Sequence, residues 1–307
     1  MPFFSVVIPV YNKVATLAAS LSSLFQQTFR DFEVIAVDDG STDGSYELLE
    51  QHARKGRLRL LQRDEPGPGG QAARNLGAEE AKASWLVFFD AEDILLFDHL
   101  SRFAEAIARH PDIELFVNAF QKMEGHQRQP RTESIPTGVL ARREALEAFS
   151  YCDFINMNGV CIRRGRFLAL GGFPAGRYRH GGDVYFWLKA LCALEAIHYD
   201  DTVTSLWLIE SNGTGGGKNG LDRVHPSVDL LAEFAGRLSW YESHYLQAAV
   251  NRKVLCWAVK KKRLGKPVRA DLASLTLVGM RPRQWLQVLM LLMPQPCFER
   301  MRGWWKS

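Results

Sequence analysis

The first 90 residues alternate between two periodicities, and that alternation limits the fold more than any other feature of the chain. Short apolar-rich runs at 4–8, 32–37, 58–61 and 85–89 have the length and composition of strands buried on both faces. Between them, residues 13–27 carry Val14, Leu17, Leu21, Leu24 and Phe25 at three- and four-residue spacing, the mark of a helix with one apolar stripe. Residues 46–53 and 71–83 read as further helices, the former after a turn rich in capping residues from Asp38 to Asp43. Strand and helix in strict alternation predict parallel βαβ units with right-handed crossovers.

In open α/β sheets, ligands gather at the carboxyl ends of the strands. Here those ends carry chemistry. The first strand runs into Pro9-Val10-Tyr11-Asn12, the second into Asp38-Asp39, and the fourth into Asp90-Ala91-Glu92-Asp93. An aromatic such as Tyr11 can stack on a base, and a carboxylate, Asp38 or Asp39, can accept a base imide N–H. Asp90, Glu92 and Asp93 suit Mg²⁺ or Mn²⁺, which prefer carboxylate oxygens and share phosphate oxygens. Together they describe a pocket for a nucleoside diphosphate. Singly, each has a plainer reading: a capping aromatic, helix-start acids, a solvated acidic turn. Arg74 and Asn75 follow the glycine-rich stretch 65–70, near a helix N-terminus that favours anions. Arg74 is placed either to stabilise a leaving diphosphate or to form a surface salt bridge.

Past residue 93 the pattern loosens. A helix is expected at 98–109 and strands at 113–119, 158–162 and 202–209. Short helices are expected at 163–170 and 183–194, and a Gly-Gly-Phe-Pro turn at 171–174. The polar stretch 122–137 and the glycine-rich 213–220 read as mobile loops. From about 227, Leu231, Phe234, Leu238, Tyr241, Tyr245, Ala248, Leu255 and Val259 predict a long amphipathic helix or helical hairpin closed by Lys260 to Arg263. Residues 282–293 begin with proline, as helices often do, and are apolar on most faces.

Charge is unevenly spread. Residues 251–307 hold 13 Lys/Arg against 2 Asp/Glu, while residues 1–250 hold 25 against 32. A basic, aromatic tail on an acidic body predicts an anionic membrane surface as the partner of residues 251–307. Plain packing on the rest of the chain, or a dimer contact, is the simpler alternative. No recognisable nucleic-acid module accompanies the basic residues, so nucleic acid is not expected as a partner. No apolar run is long enough to span a bilayer and no signal-peptide pattern opens the sequence. Five scattered cysteines fit reduced, mostly buried thiols. A cytoplasmic location, or a peripheral one on the inner face of the plasma membrane, is expected.

The segments SVVIPVYNK, EVIAVDDGSTDGS and GGQAARNLGAEEAKASWLVFFDAED, in this order and spacing, resemble the family-2 inverting glycosyltransferases, strongly over residues 4–100 and more loosely to about 210. The resemblance implies the glycosyltransferase A fold: α/β, with a Rossmann-like, mostly parallel central sheet flanked by helices, here followed by a C-terminal helical extension. It implies a catalytic domain over 1–226, split into a nucleotide-binding half (1–95) and an acceptor-binding half (96–226), and a basic amphipathic helical region over 227–307. It also implies a nucleotide-sugar donor, in that family usually a UDP-sugar, bound by Pro9, Tyr11, Asn12, Asp39, Arg74 and Asp90, with Mn²⁺ or Mg²⁺ on Glu92, Asp93 and Asp90. The acceptor would be a hydroxyl of a cell-surface glycan, lipopolysaccharide or lipid-linked acceptor.

The family's catalytic base falls on Asp183, in His180-Gly-Gly-Asp-Val-Tyr-Phe-Trp187, where it also fits a helix N-cap. Three positions depart from the family pattern. Glu92 stands where Asp is common. Gly182-Asp183 replaces the usual Glu-Asp. No basic or histidine residue occupies 207–217, the place of a loop that closes on the diphosphate, which leaves Lys218 or His225 as substitutes. The alternative reading is a catalytically inactive sugar-nucleotide-binding protein of the same fold.

Overall fold

The computed structural model describes residues 1–63, 69–125, 127–131, 134–209, 221 and 223–305, with side chains through Arg300. Its strands are β1 (Phe4–Val10), β2 (Phe32–Asp38), β3 (Arg59–Gln62), β4 (Trp85–Phe88), β5 (Ile94–Leu95), β6 (Leu115–Glu124), β7 (Gln127–Arg128), β8 (Gly138–Ala141), β9 (Val160–Arg163) and β10 (Ala196–Ile209). The helices are α1 (Val14–Phe25), α2 (Ser45–Arg54), α3 (Gln71–Glu80), α4 (His99–Arg109), α5 (Arg142–Tyr151), α6 (Arg164–Ala169), α7 (Gly182–Ala193), α8 (Asp229–Glu233), α9 (Trp240–Arg263), α10 (Arg269–Ala273), α11 (Pro282–Leu292) and α12 (Gln295–Trp305).

One sheet runs β3-β2-β1-β4-β9-β6-β10-β5. Its first four strands are parallel, as the alternation requires: Val6 pairs with Val34 of β2 and Val87 of β4. Beyond β4 the sheet is mixed, so the parallel expectation holds for the first half only. β9 is antiparallel to both β4 and β6, and β6 is parallel to β10. Successive residues of β1 face opposite cores. Phe4, Val6, Ile8 and Val10 pack with α1 and α4, while Val7 joins Ile35, Val37 and Phe88 on the other face. Pro9 is tolerated in this central strand because of its register. Val7 carbonyl accepts from the Phe89 N–H on the β4 side, so Pro9, two residues on, turns its missing donor to that side after the β4 ladder has ended at Val7.

Several expectations needed correction. The stretch 122–137 is not simply loop: β6 continues to Glu124 and turns back through β7, with the Gln129 N–H donating to Lys122 carbonyl (2.8 Å). Polar alternation at a sheet margin resembles a loop in composition. β8 and α5 were not foreseen at all. The periodic segment after 227 is interrupted: α8 ends at Glu233, Gly236 takes a left-handed φ of 72°, and a capping box between Ser239 and Glu242 starts α9 afresh. Cys161 and Cys192 are buried, but Cys256 and Cys297 are exposed. The glycine-rich 213–220, with Lys218, lies outside the described residues.

The larger core continues past residue 226. Leu230, Phe234, Leu246, Ala249, Val250 and Val254 belong to it, and only from Leu255 onward does a second, small core form around Ala258, Val268, Leu291 and Phe298. α9 is tied down by charge as well. Arg252 and Lys253 both reach Asp153, and Lys261 meets Asp271 at 2.8 Å, fully buried between α9 and α10. Removing either member of that last pair would strand a buried charge, at a cost of about 3–5 kcal/mol.

Candidate active site

The candidate site lies at the carboxyl edge of β1, β2 and β4, and its floor is built by two loops whose polar side chains accept from each other's backbone N–H groups. Asn12, at the end of β1, adopts φ 51°, the one left-handed non-glycine among the described residues, a conformation asparagine tolerates. Its side-chain carbonyl accepts from the Thr42 N–H (2.8 Å), while its own N–H donates to Ser41 Oγ (3.1 Å). The Lys13 N–H donates to Ser45 Oγ (2.8 Å) and the Val14 N–H to Asp43 Oδ2 (3.0 Å). Asp38 is spent on its own turn, accepting from the N–H groups of Gly40 and Ser41 (3.1 and 3.2 Å). These contacts explain why both motifs are rich in small polar residues.

The result separates the two candidate base-binding residues in a useful way. Tyr11 stands 56% exposed at the rim. Asp39 is buried below, its N–H donating to Val10 carbonyl (2.8 Å) and its carboxylate held by Arg63. An exposed ring beside a buried acceptor matches what a planar heterocycle needs. Arg63 was not singled out in the sequence, where nothing distinguishes it from a surface cation at the end of an edge strand.

The three acids of the motif divide into an ion-paired two and a buried one. Asp90 is in an ion pair with Arg74, and Glu92 in one with Lys13; the side chains of Asp90 and Glu92 are 28% and 34% exposed. Asp93 is turned the other way. It is 1% exposed, accepts from the Leu208 N–H (2.7 Å) and from Asn158 Nδ2 (2.5 Å), and belongs to the joint between β4, β9 and β10. Burial, and then the neighbouring Asp90 charge, push its pKa up to about 8. Both Asp93 oxygens thus serve neighbouring protein groups, which leaves Asp90 and Glu92 as the more open of the three expected metal ligands. Asn158 completes the joint by accepting the Asp90 N–H (2.7 Å).

Asp90 and Glu92 remain as two carboxylates at the open edge, a hard-oxygen donor set that fits Mg²⁺ or Mn²⁺ when a diphosphate supplies further oxygens. Among the described residues no three His, Cys, Asp or Glu side chains converge as a metal site by themselves.

The other wall is made by α3 and α7, whose N-termini meet. A Cβ built on Gly182 would lie 2.6 Å from the Gln71 amide, and one on Gly69 would lie 3.2 Å from Arg179 carbonyl. Gln71 Nε2 donates to Tyr178 carbonyl (3.0 Å). Asn75 holds the turn before α7, donating to Phe173 carbonyl (2.8 Å) and accepting the Phe173 N–H (2.9 Å). Phe173 then packs edge-on to Phe88 of β4 and near Phe186 and Trp187 of α7, with centroids 4.9–5.6 Å apart. This aromatic knot sets the angle of α7 and brings Asp183, exposed in its first turn, to the sheet's carboxyl edge. Truncating Phe173 to Ala would cost about 3–5 kcal/mol. Two helix N-termini converging on Arg74 favour negative charge between them. His225 is 2% exposed and lies behind the start of α7, where a Cβ built on Gly181 would sit 3.2 Å from its Nε2. It is buried against Trp257 (centroids 4.6 Å), hydrogen-bonded to Ser227, and burial holds its pKa near 3.

Comparison with known proteins agrees with this layout. A Haemophilus influenzae protein named uncharacterized glycosyltransferase is 32% identical over 128 residues, 41% of this chain and 51% of the relative. A Mycobacterium bovis PGL/p-HBAD biosynthesis glycosyltransferase is 37% identical over 115 residues, 37% of this chain and 45% of the relative. The matched stretches thus span about half the length of these relatives. Among solved structures, S. aureus TarS 1–349 in complex with UDP superposes with a TM-score of 0.70 at 18% identity, covering 98% of this chain and 91% of that one. The mannosyltransferase PcManGT from Pyrobaculum calidifontis, in complex with GDP-Man and Mn²⁺, gives 0.58 at 19% identity, covering 98% and 84%. The fold is the glycosyltransferase A fold. Residues 5–161, half of the chain, match the profile of glycosyl transferase family 2, and the chain belongs to that family.

Proposed function

We propose that this chain is an inverting glycosyltransferase that moves a sugar from a nucleoside-diphosphate donor, a UDP-sugar, to a hydroxyl of a cell-surface glycan or lipid-linked acceptor. The observation that carries the reading is the convergence, at one sheet edge, of exposed Tyr11 over buried Asp39, the carboxylates Asp90 and Glu92, Arg74, and Asp183 on the facing helix. Tyr11 stacks on the base, Asp39 accepts its imide N–H, and Pro9 and Asn12 shape the turn that presents Tyr11. A Mg²⁺ or Mn²⁺ ion held by Asp90 and Glu92 would neutralise charge on the diphosphate.

Asp183 takes the proton of the acceptor hydroxyl as general base. The hydroxyl oxygen forms the new bond to the anomeric carbon as the bond to the diphosphate oxygen breaks on the opposite face, so the configuration inverts. The nucleoside diphosphate leaves with the electron pair, and Arg74 together with the two helix N-termini holds the growing charge. Replacing Asp183 by Asn should lower turnover by about 10²–10⁴-fold while leaving donor affinity unchanged. Loss of donor binding in that variant would move Asp183 into the donor pocket and overturn its role.

The acceptor side of the proposal includes a membrane. Trp285, Leu286, Leu289 and Leu292 of α11 are 45–65% exposed, one contiguous apolar face. Gln295 Nε2 donates to Lys262 carbonyl (3.0 Å), which sets the end of α11 beside the basic last turn of α9. An apolar face with a cationic margin fits an anionic lipid surface, with the chain lying on it from the cytoplasmic side. No helix among the described residues is long and apolar enough to cross a membrane.

A further inference from the structure

Each of the two half-buried acids at the sheet edge already carries a basic partner from the chain itself, Lys13 on Glu92 and Arg74 on Asp90. The first pairing is built in from both sides. The Lys13 N–H is fixed by Ser45 Oγ (2.8 Å), directly after the left-handed Asn12. Thr16 Oγ1 donates to Ala91 carbonyl (3.1 Å), tying the acidic turn to the start of α1. A side chain leaving Lys13 therefore meets Glu92. Arg74 is the more enclosed of the two bases, 11% exposed in its side chain against 30% for Lys13. A lysine head is a compact charge on a flexible stem, and here it has room to swing.

We propose that Lys13 is the donor site's own counter-cation, which couples entry of the divalent cation to entry of the diphosphate. This rests on the donor-site reading above. A divalent ion arriving alone meets a charge-balanced group of two acids and two bases, and must displace a cation to gain an oxygen ligand. A diphosphate offers Lys13 and Arg74 a competing anion. Their departure frees Glu92 and Asp90 as ligands. The coupling is reciprocal, so metal tightens nucleotide binding by the factor that nucleotide tightens metal binding. Lys13 acts here as a positioning residue that sets when the carboxylates become available, in a step with no bond made or broken.

The test is Mn²⁺ binding to the full chain, followed by calorimetry and by Mn²⁺ electron paramagnetic resonance. Wild type, Lys13→Met and Lys13→Arg are each titrated without nucleotide and with saturating UDP. Wild type is expected to bind Mn²⁺ about fivefold or more tightly with UDP than without it. Lys13→Met should bind Mn²⁺ alone about fivefold more tightly than wild type, and its nucleotide enhancement should shrink by the same factor, the remainder coming from diphosphate oxygens on the metal, while Lys13→Arg retains both wild-type properties. Unchanged Mn²⁺ affinity in Lys13→Met, in a protein that still binds UDP, overturns the proposal. The nucleotide-free titration reads Lys13 against Glu92 directly. Failure of every variant to bind UDP or GDP would instead sink the donor-site reading itself.

Discussion

Asn158 and Asp93, 65 residues apart in sequence, are joined by a 2.5 Å hydrogen bond inside the protein, directly behind the half-buried acids Asp90 and Glu92. Asn158 uses its other amide atom to accept the Asp90 N–H, so one buried side chain fixes both ends of the acidic turn. Replacing Asn158 by Ala leaves two buried polar groups without these partners and should cost about 2–4 kcal/mol, read from the urea midpoint. Donor affinity should fall as well, since Asp90 loses its backbone tether. A stability change within about 0.5 kcal/mol would show that the joint is not structural.

Asp93 also gives the fold a pH dependence with a definite sign. Its folded pKa is raised, to about 8, above the ordinary carboxyl value. Over that interval the folded state binds the proton better than the unfolded state. The stabilisation is therefore fully present below about pH 4 and is lost as pH rises through 8. Urea midpoints measured from pH 5 to 8 should decline more steeply for wild type than for Asp93→Asn, which has no proton to lose. Parallel slopes for the two proteins would contradict the assignment.

Gly182 answers one of the departures from the family pattern. Where the family usually has Glu before its catalytic base, this chain has no side chain, and the Gln71 amide fills the space. Gly182→Ala should force Gln71 off Tyr178 carbonyl and cost about 1–3 kcal/mol by overpacking. Adding Gln71→Ala should recover part of that loss. Thermal melts of the two single variants and the double variant supply the cycle; simple additivity would mean the contact carries no strain.

The parallel half of the fold was legible because its strands are buried on both faces and announce themselves as apolar runs. The candidate site residues Tyr11, Asp39 and Asp183 stand out in the sequence because they sit at element ends, where polar residues interrupt those runs. What the sequence hid depends on long-range pairing. Asp93 and Asp90 look alike in a row of acids, and only the approach of Leu208 and Asn158 turns one inward. Lys13 and Arg63 read as surface cations until the chain brings Glu92 and Asp39 to them. The β6–β7 hairpin escaped notice because its polar alternation lacks an apolar face.

The α11 face predicts lipid binding that responds to both apolar and ionic changes. The chain should sediment with vesicles containing phosphatidylglycerol and much less with phosphatidylcholine alone. Leu286→Glu with Leu289→Glu, two exposed positions whose replacement spares the core, should abolish most of that sedimentation, and raised salt should weaken it. Equal sedimentation of wild type and variant would remove α11 as the contact.

The central claim is that this sheet edge holds a nucleoside diphosphate, and calorimetric titration with UDP, GDP and TDP tests it most directly. The titrations are run in Mn²⁺ and in EDTA on wild type, Tyr11→Ala and Asp39→Ala. Tyr11 is more than half exposed, so its loss should leave the fold intact while removing base stacking worth about 1–3 kcal/mol. The account predicts UDP binding that Mn²⁺ strengthens, that Tyr11→Ala weakens about 5- to 150-fold, and that Asp39→Ala abolishes. Binding of none of the three nucleotides to wild type in either medium, or binding indifferent to both substitutions, would contradict it.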